Sequence, residues 1–587
     1  MEKAAILHYM DQNYCFVNGK GEYVFRIRVK KDDAKKVILH GRDKYVHMLK
    51  SSDKRCVEMT KVACDGLVDY YEAALTMDMV CFRYFFELID ENGEKLYYGN
   101  YTFWEKKPKE IGQMFDCPLK SKEEDRFLVP EWAKGKVVYQ IFPDRFAASH
   151  KVDEKLWYDA PVKNWRALYG GNLKGITDKL EYLKDLGVDI VYMTPIFLSG
   201  SNHKYDTTDY YTIDPGFGTK EDLQELVEKA HALGMYVVLD GVFNHTGTNF
   251  FAFEDLKKNE EKSAYKEWYY PKSFPLKSGF EQKPNYLCFG YYGKMPKLNT
   301  SNEAVQEYIF DVVTYWMREC NIDGWRLDVG DEISHGFWKK FRSKIKDFKE
   351  DVLIVGENWF YAPTYLQGDE WDSLMNYHFR DAVLGFVADG TLTATEFAGR
   401  LGFMRGTIHS ETYEILWNLI DCHDTPRFKH LVKNRSKKQM LAAGLQLLSK
   451  GCPMIYYGDE VGMTGGNDPD CRRGMLWKEE LQDKQMFAYY KKLLVLRKSE
   501  PCIVNGIQRF LLTDDEKGLL VEERSICDCG KTDRRVVIIY HNENKMIEVP
   551  EYVGKYDLLG EEIFDGKVKG YEVKVLLMEG KKYGEND

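Results

Sequence analysis

The sequence predicts an α/β fold, a closed (β/α)8 TIM barrel with one inserted domain and a β-rich domain on either side. Three observations lead to this prediction. The first 125 or so residues alternate apolar and polar positions in short bursts, eight buried strand-like segments follow with helical segments between most of them, and the alternation returns after Pro501. At 587 residues, the chain is long enough for several domains.

Composition and charge exclude several classes of protein. Hydrophobic residues make up 44% of the chain and charged residues 30%, which rules out intrinsic disorder. The 83 basic and 93 acidic residues give a formal charge of −10 without a block of one sign, so no nucleic-acid partner is expected. We find no signal-peptide pattern and no apolar run of roughly 18 residues, and the thirteen scattered cysteines are typical of reduced thiols. These features predict a cytoplasmic protein without a membrane partner.

Residues 1–125 are predicted to form an antiparallel β-sandwich. Segments such as Tyr23–Val29 and Phe82–Leu88 alternate in the way of half-buried strands, and glycine-containing turns separate them. Residues 126–240 and 301–500 are predicted to form the barrel. Leucines at helical spacing between Asn172 and Leu186 predict one helix that ends at Gly187, and a second helix is expected over Lys220–Leu233. The eight predicted strands are Val137–Phe142, Val188–Met193, Met235–Asp240, Ile322–Val329, Val352–Glu357, Ser373–Tyr377, Leu416–Cys422 and Met454–Tyr457.

Two further segments complete the predicted organisation. The connection over residues 241–300 is too long for an ordinary loop between strand and helix, so we expect an inserted domain that forms one wall of the barrel mouth. Residues 501–587 are predicted to form a small antiparallel β-domain, because stretches such as Arg535–Tyr540 and Val573–Leu577 alternate again.

Acidic residues stand at the carboxyl ends of four predicted strands, where barrel enzymes carry their chemistry. These residues are Asp240, Asp328, Glu357 and Asp424. One such residue is commonly a loop cap, but acids that converge on one mouth repel each other and are costly unless they are used. The pattern favours glycoside hydrolysis, in which one carboxylate attacks the anomeric carbon while a protonated one donates to the leaving oxygen. Metal-dependent hydrolysis is less favoured, since the neighbouring histidines lack metal-ligand spacing.

Ordered motifs resemble the signature regions of the α-amylase superfamily, glycoside hydrolase family 13. The four main motifs are DGVFNHTG at 240–247, GWRLDVG at 324–330, GENW at 356–359 and NLIDCHD at 418–424. MPKLN at 295–299 resembles the extra signature of the cyclomaltodextrinase, neopullulanase and maltogenic amylase subfamily. The resemblance covers nearly the whole chain. It implies an N-terminal β-sandwich, a barrel with domain B inserted over 241–300, and a C-terminal β-domain.

The resemblance also implies the roles of individual residues. By position, Asp328 is the nucleophile, Glu357 the general acid/base and Asp424 the stabiliser of the transition state. Arg326 lies two residues before Asp328 on the same strand, so we expect its charge to keep the pKa of Asp328 low, and we expect Trp359 to supply an apolar wall that favours protonated Glu357. Asp240 is expected to be a structural partner. The residues implied to bind sugar are Tyr205, His245, Phe289, Arg326, Trp359, His423, Asp468 and Arg472.

The resemblance requires no cofactor. Many relatives carry a calcium-binding loop after the first barrel strand, but here only Asp153, Glu154 and Asn172 offer suitable oxygens, so a calcium site has weak support. We therefore predict an intracellular, retaining hydrolase of α-1,4 bonds in cyclodextrins and maltooligosaccharides, with pullulan and starch as further candidates. The resemblance implies a homodimer. The alternatives are an α-1,6-active or short-chain α-glucosidase of the same superfamily and, remotely, a non-catalytic glucan-binding barrel.

Overall fold

A computed structural model describes residues 1–10, 13–45, 54–76, 81–117, 126–277, 283–526 and 534–578. Along the chain, two antiparallel sheets are followed by an eight-stranded parallel sheet and then by a further antiparallel sheet. The predicted fold class, a barrel between two β-rich regions, is therefore confirmed. Within the described ranges, no helix combines the length and the apolar character that a membrane span requires.

The N-terminal sandwich packs two antiparallel sheets face to face. Its core contains Phe25, Tyr84 and Phe86, and the residues between them are mostly buried as well, because the outer face of each sheet is partly covered. One sheet contains Cys15–Val17, Tyr23–Lys30, Val68–Leu75 and Thr60–Cys64, in that spatial order. The other contains Lys54–Glu58, Lys36–Asp43, Phe82–Ile89, Lys95–Gly99 and Thr102–Trp104, with Phe115–Asp116 paired to Phe82–Ile89.

All eight predicted barrel strands are present, and all pairings between them are parallel. A parallel bridge between Met375 and Trp417 joins the two ends of the sheet and closes the barrel. The strands are β1 (Val138–Ile141), β2 (Ile190–Met193), β3 (Tyr236–Gly241), β4 (Gly324–Leu327), β5 (Leu353–Gly356), β6 (Ser373–Leu374), β7 (Trp417–Asn418) and β8 (Cys452–Tyr456).

Alternate residues of the barrel strands pack on opposite sides. Val138 and Val238 belong to a cluster inside the barrel, whereas Tyr139 and Val237 pack with the surrounding helices. Both faces are therefore buried, which explains the nearly continuous apolar runs in the sequence. The helices around the barrel are Leu173–Thr177, Leu180–Leu186, Lys220–Ala232, Glu303–Cys320, His335–Phe348, Tyr377–Val383, Ala394–Thr407, Ser410–Tyr413, Phe428–Leu431, Ser436–Leu447 and Lys484–Ser499.

The helix predicted between Asn172 and Leu186 is two helices. The first ends at Thr177 and the second begins at Leu180, although the leucine spacing continues across the break. The second helix ends at Gly187, whose φ of 109° lies in the left-handed region that favours glycine.

The long connection after β3 leaves the barrel and returns to it. It contains the helix Phe251–Asn259 and short 3-10 turns, and the bridge between His245 and Lys297 joins its two ends. At the C-terminal end of the chain, the antiparallel sheet contains Ile507–Asp514, Leu519–Ile526, Arg534–His541, Val573–Met578, Tyr556–Asp557 and Glu562–Ile563. Ile547–Glu548 pairs separately with Lys567–Val568.

The sandwich is attached to the barrel through buried charges. Arg26, on a sandwich strand, lies 2.5 Å from Glu72 and donates hydrogen bonds to the carbonyl oxygens of Gly406 and Ile408 on the barrel side. Arg405 in turn lies 2.8 Å from Glu72. Because Glu72 is paired with arginines from both sides, the two domains are held in a defined relative position.

Candidate active site

A cavity of about 490 Å³ opens at the carboxyl ends of the barrel strands. It is lined by all the predicted catalytic and sugar-binding residues except Arg326 and His423, which lie directly behind its wall with no exposed surface. The three carboxylates reach the cavity because each residue follows a strand. Asp328 follows β4, Glu357 follows β5, and Asp424 follows the strand region of β7.

Arg326 is the centre of the charged network. Its side chain points into the barrel from β4, where it is completely buried. Nη1 lies 3.0 Å from Asp240 Oδ1 and 2.9 Å from Asp328 Oδ1, and Nη2 lies 2.8 Å from Glu357 Oε1. One guanidinium therefore binds three carboxylates that come from three neighbouring strands. The two terminal nitrogens of a guanidinium are adjacent, so Asp328 and Glu357 are held close together.

The expectation that Arg326 would keep the pKa of Asp328 low is wrong. Burial raises the pKa of Asp328 well above its usual range, and the nearby charge of Glu357 adds to the effect, outweighing the attraction of Arg326. Burial likewise raises the pKa of Asp240 to about 6, against the lowering effect of Arg326. Burial therefore works against the ionised forms of both Asp240 and Asp328, even though Arg326 pairs with each of them.

Glu357 is positioned by one ion pair and two hydrogen bonds. Arg326 Nη2 pairs with Oε1, the indole N–H of Trp359 donates to the same oxygen at 3.1 Å, and the backbone N–H of Val329 donates to Oε2 at 2.9 Å. Val329 has a φ of 48°, an unusual value for a β-branched residue, and this conformation directs its N–H towards Glu357. Trp359 is 46% exposed and stacks on Tyr377 at 4.5 Å. It therefore acts on Glu357 as a hydrogen-bond donor, and the expected apolar wall is not what the structure shows.

Asp424 is held from the opposite side of the cavity by Arg472. Arg472 Nη2 lies 2.9 Å from Asp424 Oδ1, and Nη1 lies 3.1 Å from Asp468 Oδ1. Arg472 Nε also donates to the carbonyl oxygen of His423 at 2.8 Å. The predicted pair Asp468 and Arg472 is thus part of the same wall as Asp424, and the fork of the guanidinium fixes the spacing of the two carboxylates.

The two predicted histidines are both neutral. Burial lowers the pKa of His245 to about 3, and burial together with the charges of Arg472 and Arg326 lowers the pKa of His423 well below its usual range. The ring of Phe289 stacks on His245 with centroids 5.1 Å apart, and the ring of Tyr205 stacks on His423 at 5.5 Å. These aromatic faces and neutral donors form a surface suited to a sugar ring.

The structure adds residues that the sequence reasoning missed. His203, Met295, Asp331, Glu332 and Phe360 also line the cavity. His203 stands two residues before Tyr205, and Asp331 and Glu332 follow the GWRLDVG motif. Their closeness in sequence to predicted site residues could therefore have identified them as cavity residues. A further missed residue, Gln140, is buried in β1 and contacts His423. The sequence indicates this residue because a glutamine within an otherwise apolar strand requires a buried hydrogen-bond partner.

Two of the calcium candidates after β1, Asp153 and Asn172, are engaged at the starts of helices. Asp153 Oδ1 accepts hydrogen bonds from the backbone of Lys155 and Leu156, and Asn172 Oδ1 accepts from Gly175 at 2.7 Å. Both side chains are helix caps, and in each the Oδ1 atom is used by backbone N–H groups. In the part of the chain that the structure describes, the group with metal-like spacing is Cys422, His423 and Asp424, whose ligand atoms lie within 4.8 Å of one another.

Comparison with known proteins agrees with this geometry. Residues 140–506 match the α-amylase catalytic domain, and residues 1–120 match the N-terminal Ig-like domain of α-amylases. The chain is 41% identical to a cyclomaltodextrinase of Geobacillus thermopakistaniensis over 94% of its length and 93% of the relative's. It is 37% identical to an intracellular maltogenic amylase of Bacillus subtilis strain 168, over 93% of this chain and 92% of that one. A solved cyclomaltodextrinase structure matches with a TM-score of 0.89 at 35% identity, covering 99% of this chain and 98% of that one. The chain belongs to the α-amylase family of glycoside hydrolases.

Proposed function

We propose that this enzyme is a retaining α-glucan hydrolase that cleaves α-1,4 bonds in cyclodextrins and maltooligosaccharides. The observation that carries the proposal is the shared guanidinium of Arg326, which binds Asp328 and Glu357 through adjacent nitrogens. Retaining glycosidases need their two carboxyl groups about 5–5.5 Å apart, whereas inverting enzymes leave room for a water between them. Two carboxylates on one guanidinium fit the shorter spacing.

In the first step, Asp328 attacks the anomeric carbon of the sugar as the glycosidic bond breaks. Glu357 gives its proton to the departing glycosidic oxygen, and the new bond joins the anomeric carbon to an Asp328 oxygen. The contact of Arg326 with both residues lets negative charge move from Asp328 to Glu357 without leaving the guanidinium.

In the second step, water replaces Asp328 at the anomeric carbon. Glu357, now ionised, accepts a proton from that water, and Asp328 leaves as a carboxylate. Asp424 stabilises the positive charge that develops on the sugar in both transition states. Arg472 holds Asp424 by one oxygen, which leaves the other oxygen directed towards His423 and the cavity.

The lining of the cavity supports a neutral carbohydrate as substrate. Tyr205, Phe289, Trp359 and Phe360 present aromatic surface to the cavity, next to hydrogen-bonding groups such as His203 and Asp468. We propose cyclodextrins as the preferred substrates because a 41% identical relative is named cyclomaltodextrinase. Pullulan and starch are further candidate substrates. The name of the intracellular relative supports a cytoplasmic location.

The proposal extends to the assembly and its domains. We propose that residues 1–125 form a sandwich domain that mediates a homodimer, that 126–240 and 301–500 form the catalytic barrel, that 241–300 form domain B, and that 501–587 form the C-terminal domain. The ion pairs of Glu72 with Arg26 and Arg405 support a sandwich that is held rigidly enough to act on a partner subunit. Light scattering of the full chain tests the dimer, since a monomeric mass contradicts it.

The test of the catalytic proposal is product analysis on β-cyclodextrin, pullulan and starch, with proton NMR of the first anomer released. We expect fastest cleavage of cyclodextrin and an initial α-anomer. An initial β-anomer would show inversion, and starch cleavage well above cyclodextrin cleavage would contradict the substrate class. Asp328→Asn should abolish turnover, and the matched control Asp351→Asn, at an exposed position before β5, should not.

A further inference from the structure

Gln140 lies inside the first barrel strand and points into the barrel, with no exposed surface. A buried amide without a hydrogen bond costs about 1–3 kcal/mol, so this residue needs a partner. Its side-chain nitrogen lies 2.8 Å from His423 Nδ1. Its side-chain oxygen has no hydrogen-bond partner among the described residues. Gln140 is therefore directed towards His423 and does not reach the cavity itself.

The contact matters because the His423 ring is neutral and carries a single N–H. Burial, with the charges of Arg472 and Arg326, keeps its pKa well below the usual range. The two ring nitrogens then differ, since one donates a hydrogen bond and the other accepts. Which nitrogen holds the proton sets the direction of every hydrogen bond around the ring.

The surroundings of Nε2 require the proton to be there. Nε2 lies 3.1 Å from Asp424 Oδ2 and 2.6 Å from the Tyr205 hydroxyl. A lone pair on Nε2 would face the lone pairs of a carboxylate and be repelled by its charge, whereas the positive end of an N–H is attracted to that charge. With the proton on Nε2, Nδ1 must accept, and the amide N–H of Gln140 supplies the matching donor. The two sides of the ring independently favour the same tautomer.

This tautomer completes a directed series of hydrogen bonds. Gln140 donates to His423, His423 donates to the Tyr205 oxygen, and Tyr205 donates to Asp240 Oδ2 at 3.0 Å. Asp240 is bound in turn by Arg326, which also donates to Asp328. Reversing the His423 tautomer would leave two acceptors facing each other at Asp424 and would force Tyr205 to turn its hydroxyl proton away from Asp240.

We propose that Gln140 is a positioning residue that fixes His423 in the tautomer with its proton on Nε2. The effect on catalysis rests on the function proposed above. Through this tautomer, Gln140 keeps the ring of Tyr205 parallel to His423, with an interplanar angle of 7°, and keeps the positive end of the Nε2–H bond near Asp424 Oδ2, while Arg472 holds Oδ1. Gln140 itself touches neither the substrate nor the reacting atoms.

Two substitutions separate this role from simple packing. Gln140→Glu keeps the shape but presents an acceptor to Nδ1, which draws the proton from Nε2, whereas Gln140→Met removes the donor and leaves Asp424 to hold the tautomer. We expect Gln140→Glu to lower kcat by about 100-fold with little change in KM, well short of the roughly 10⁴ that a wrong tautomer costs where histidine is the base. Gln140→Met should lose only about tenfold. A loss for Met equal to or greater than that for Glu would indicate a packing role and overturn the proposal.

The direct readout is the ring ¹⁵N signals of His423 in protein labelled on histidine, assigned by their absence in His423→Asn. We expect wild-type Nδ1 to show the shift of an unprotonated nitrogen and Nε2 that of a protonated one, with the pattern reversed in Gln140→Glu. Gln446→Glu alters another buried glutamine, in the helix Ser436–Leu447, and should leave the His423 signals unchanged. A protonated Nδ1 in the wild type overturns the proposal. Because this readout needs no substrate, it is independent of whether the proposed hydrolysis occurs.

Discussion

Arg326 Nη1 lies 2.9 Å from Asp328 Oδ1, so the proposed nucleophile is bound by a cation two residues earlier on its own strand. Residues i and i+2 of a strand point to the same side, and this spacing places both side chains inside the barrel mouth. The same guanidinium reaches Glu357 and Asp240 from the neighbouring strands. The three carboxylates therefore depend on one side chain for their charge balance and their spacing.

Arg326→Lys should impair catalysis strongly even though it retains the positive charge. A lysine ammonium cannot reproduce the fork that binds Asp328 and Glu357 at once, and it leaves a buried carboxylate without its partner. We expect kcat to fall by about 10²–10³-fold, measured on the best substrate. Arg342→Lys changes an arginine that binds Asp372 on the helix side of the barrel, and it should retain activity. Equal losses in the two variants would mean that Arg326 is only structural.

Asp424 and Asp468 share Arg472 but should differ in kinetic effect. Asp424 is directed towards His423 and the cavity, so Asp424→Asn should lower kcat by about 10²–10³-fold. The Asp468 side chain is 49% exposed, and Asp468→Asn should raise KM by about tenfold or less with kcat largely kept. Steady-state kinetics on maltooligosaccharides separates the two. A kcat defect in Asp468→Asn as large as that in Asp424→Asn would contradict the assigned roles.

Glu72 should make the stability of the enzyme depend on acidity. Burial disfavours its carboxylate, but the charges of Arg405 and Arg26 outweigh this and lower its pKa from 4.5 to about 2. A lowered pKa stabilises the folded state fully above the unfolded value of 4.5, and the benefit is lost as the pH falls towards 2. The ionisation of Glu72 thus contributes about 3 kcal/mol to the free energy of unfolding at neutral pH, and about 2 kcal/mol of this contribution is lost by pH 3.

Unfolding by denaturant at pH 6 and pH 3 measures this effect. The free energy of unfolding of Glu72→Gln should be lower than that of the wild type at pH 6, and the difference should shrink at pH 3. Glu58→Gln removes an exposed partner of Lys36 in the same sandwich and provides the control, for which no such convergence is expected. A constant difference between Glu72→Gln and the wild type at both pH values would contradict the account.

Gly402→Ala should weaken the attachment of the sandwich to the barrel. Gly402 lies in the helix Ala394–Thr407, and a methyl group there would collide with the backbone carbonyl of Cys64 in a sandwich strand. We expect a loss of about 1–3 kcal/mol in the free energy of unfolding, because the backbone of the helix or of the sandwich strand must shift to make room for the methyl group. Gly336→Ala introduces the same methyl group in the helix His335–Phe348, where nothing lies within 4 Å, and it should not destabilise the protein. Thermal unfolding of both variants checks the difference.

Much of the fold could be predicted from the sequence because its signals are local. The strand Val137–Phe142 was predicted within two residues of β1, since buried parallel strands read as apolar runs. The break between Thr177 and Leu180 was missed, because leucine spacing does not reveal a change of helix direction. β6 and β7 are only two residues long, and the predicted spans Ser373–Tyr377 and Leu416–Cys422 extended beyond them into the residues that follow each strand.

The site was predictable in composition but not in electrostatics. Acidic residues at strand ends can be read from the sequence, since strand polarity places them on one face of the barrel. The direction of the pKa of Asp328 depends on burial and on Glu357, which comes from another strand, and neither is visible in the GWRLDVG motif. The indole N–H of Trp359 towards Glu357 is likewise a matter of side-chain rotation. Gln140 was within reach of sequence reasoning, because a glutamine in a buried strand requires a partner.

The central claim is that Asp328 forms the covalent intermediate, and trapping that intermediate tests it most directly. A maltosyl fluoride with a further fluorine on the reacting ring slows both steps, and Glu357→Gln slows the release of the sugar, so the glycosyl-enzyme should accumulate. The account predicts one maltosyl adduct per chain, located by peptide mass spectrometry on Asp328 and absent from Asp328→Asn. An adduct on Asp424 or Asp240, or inverted product released without any adduct, would contradict it.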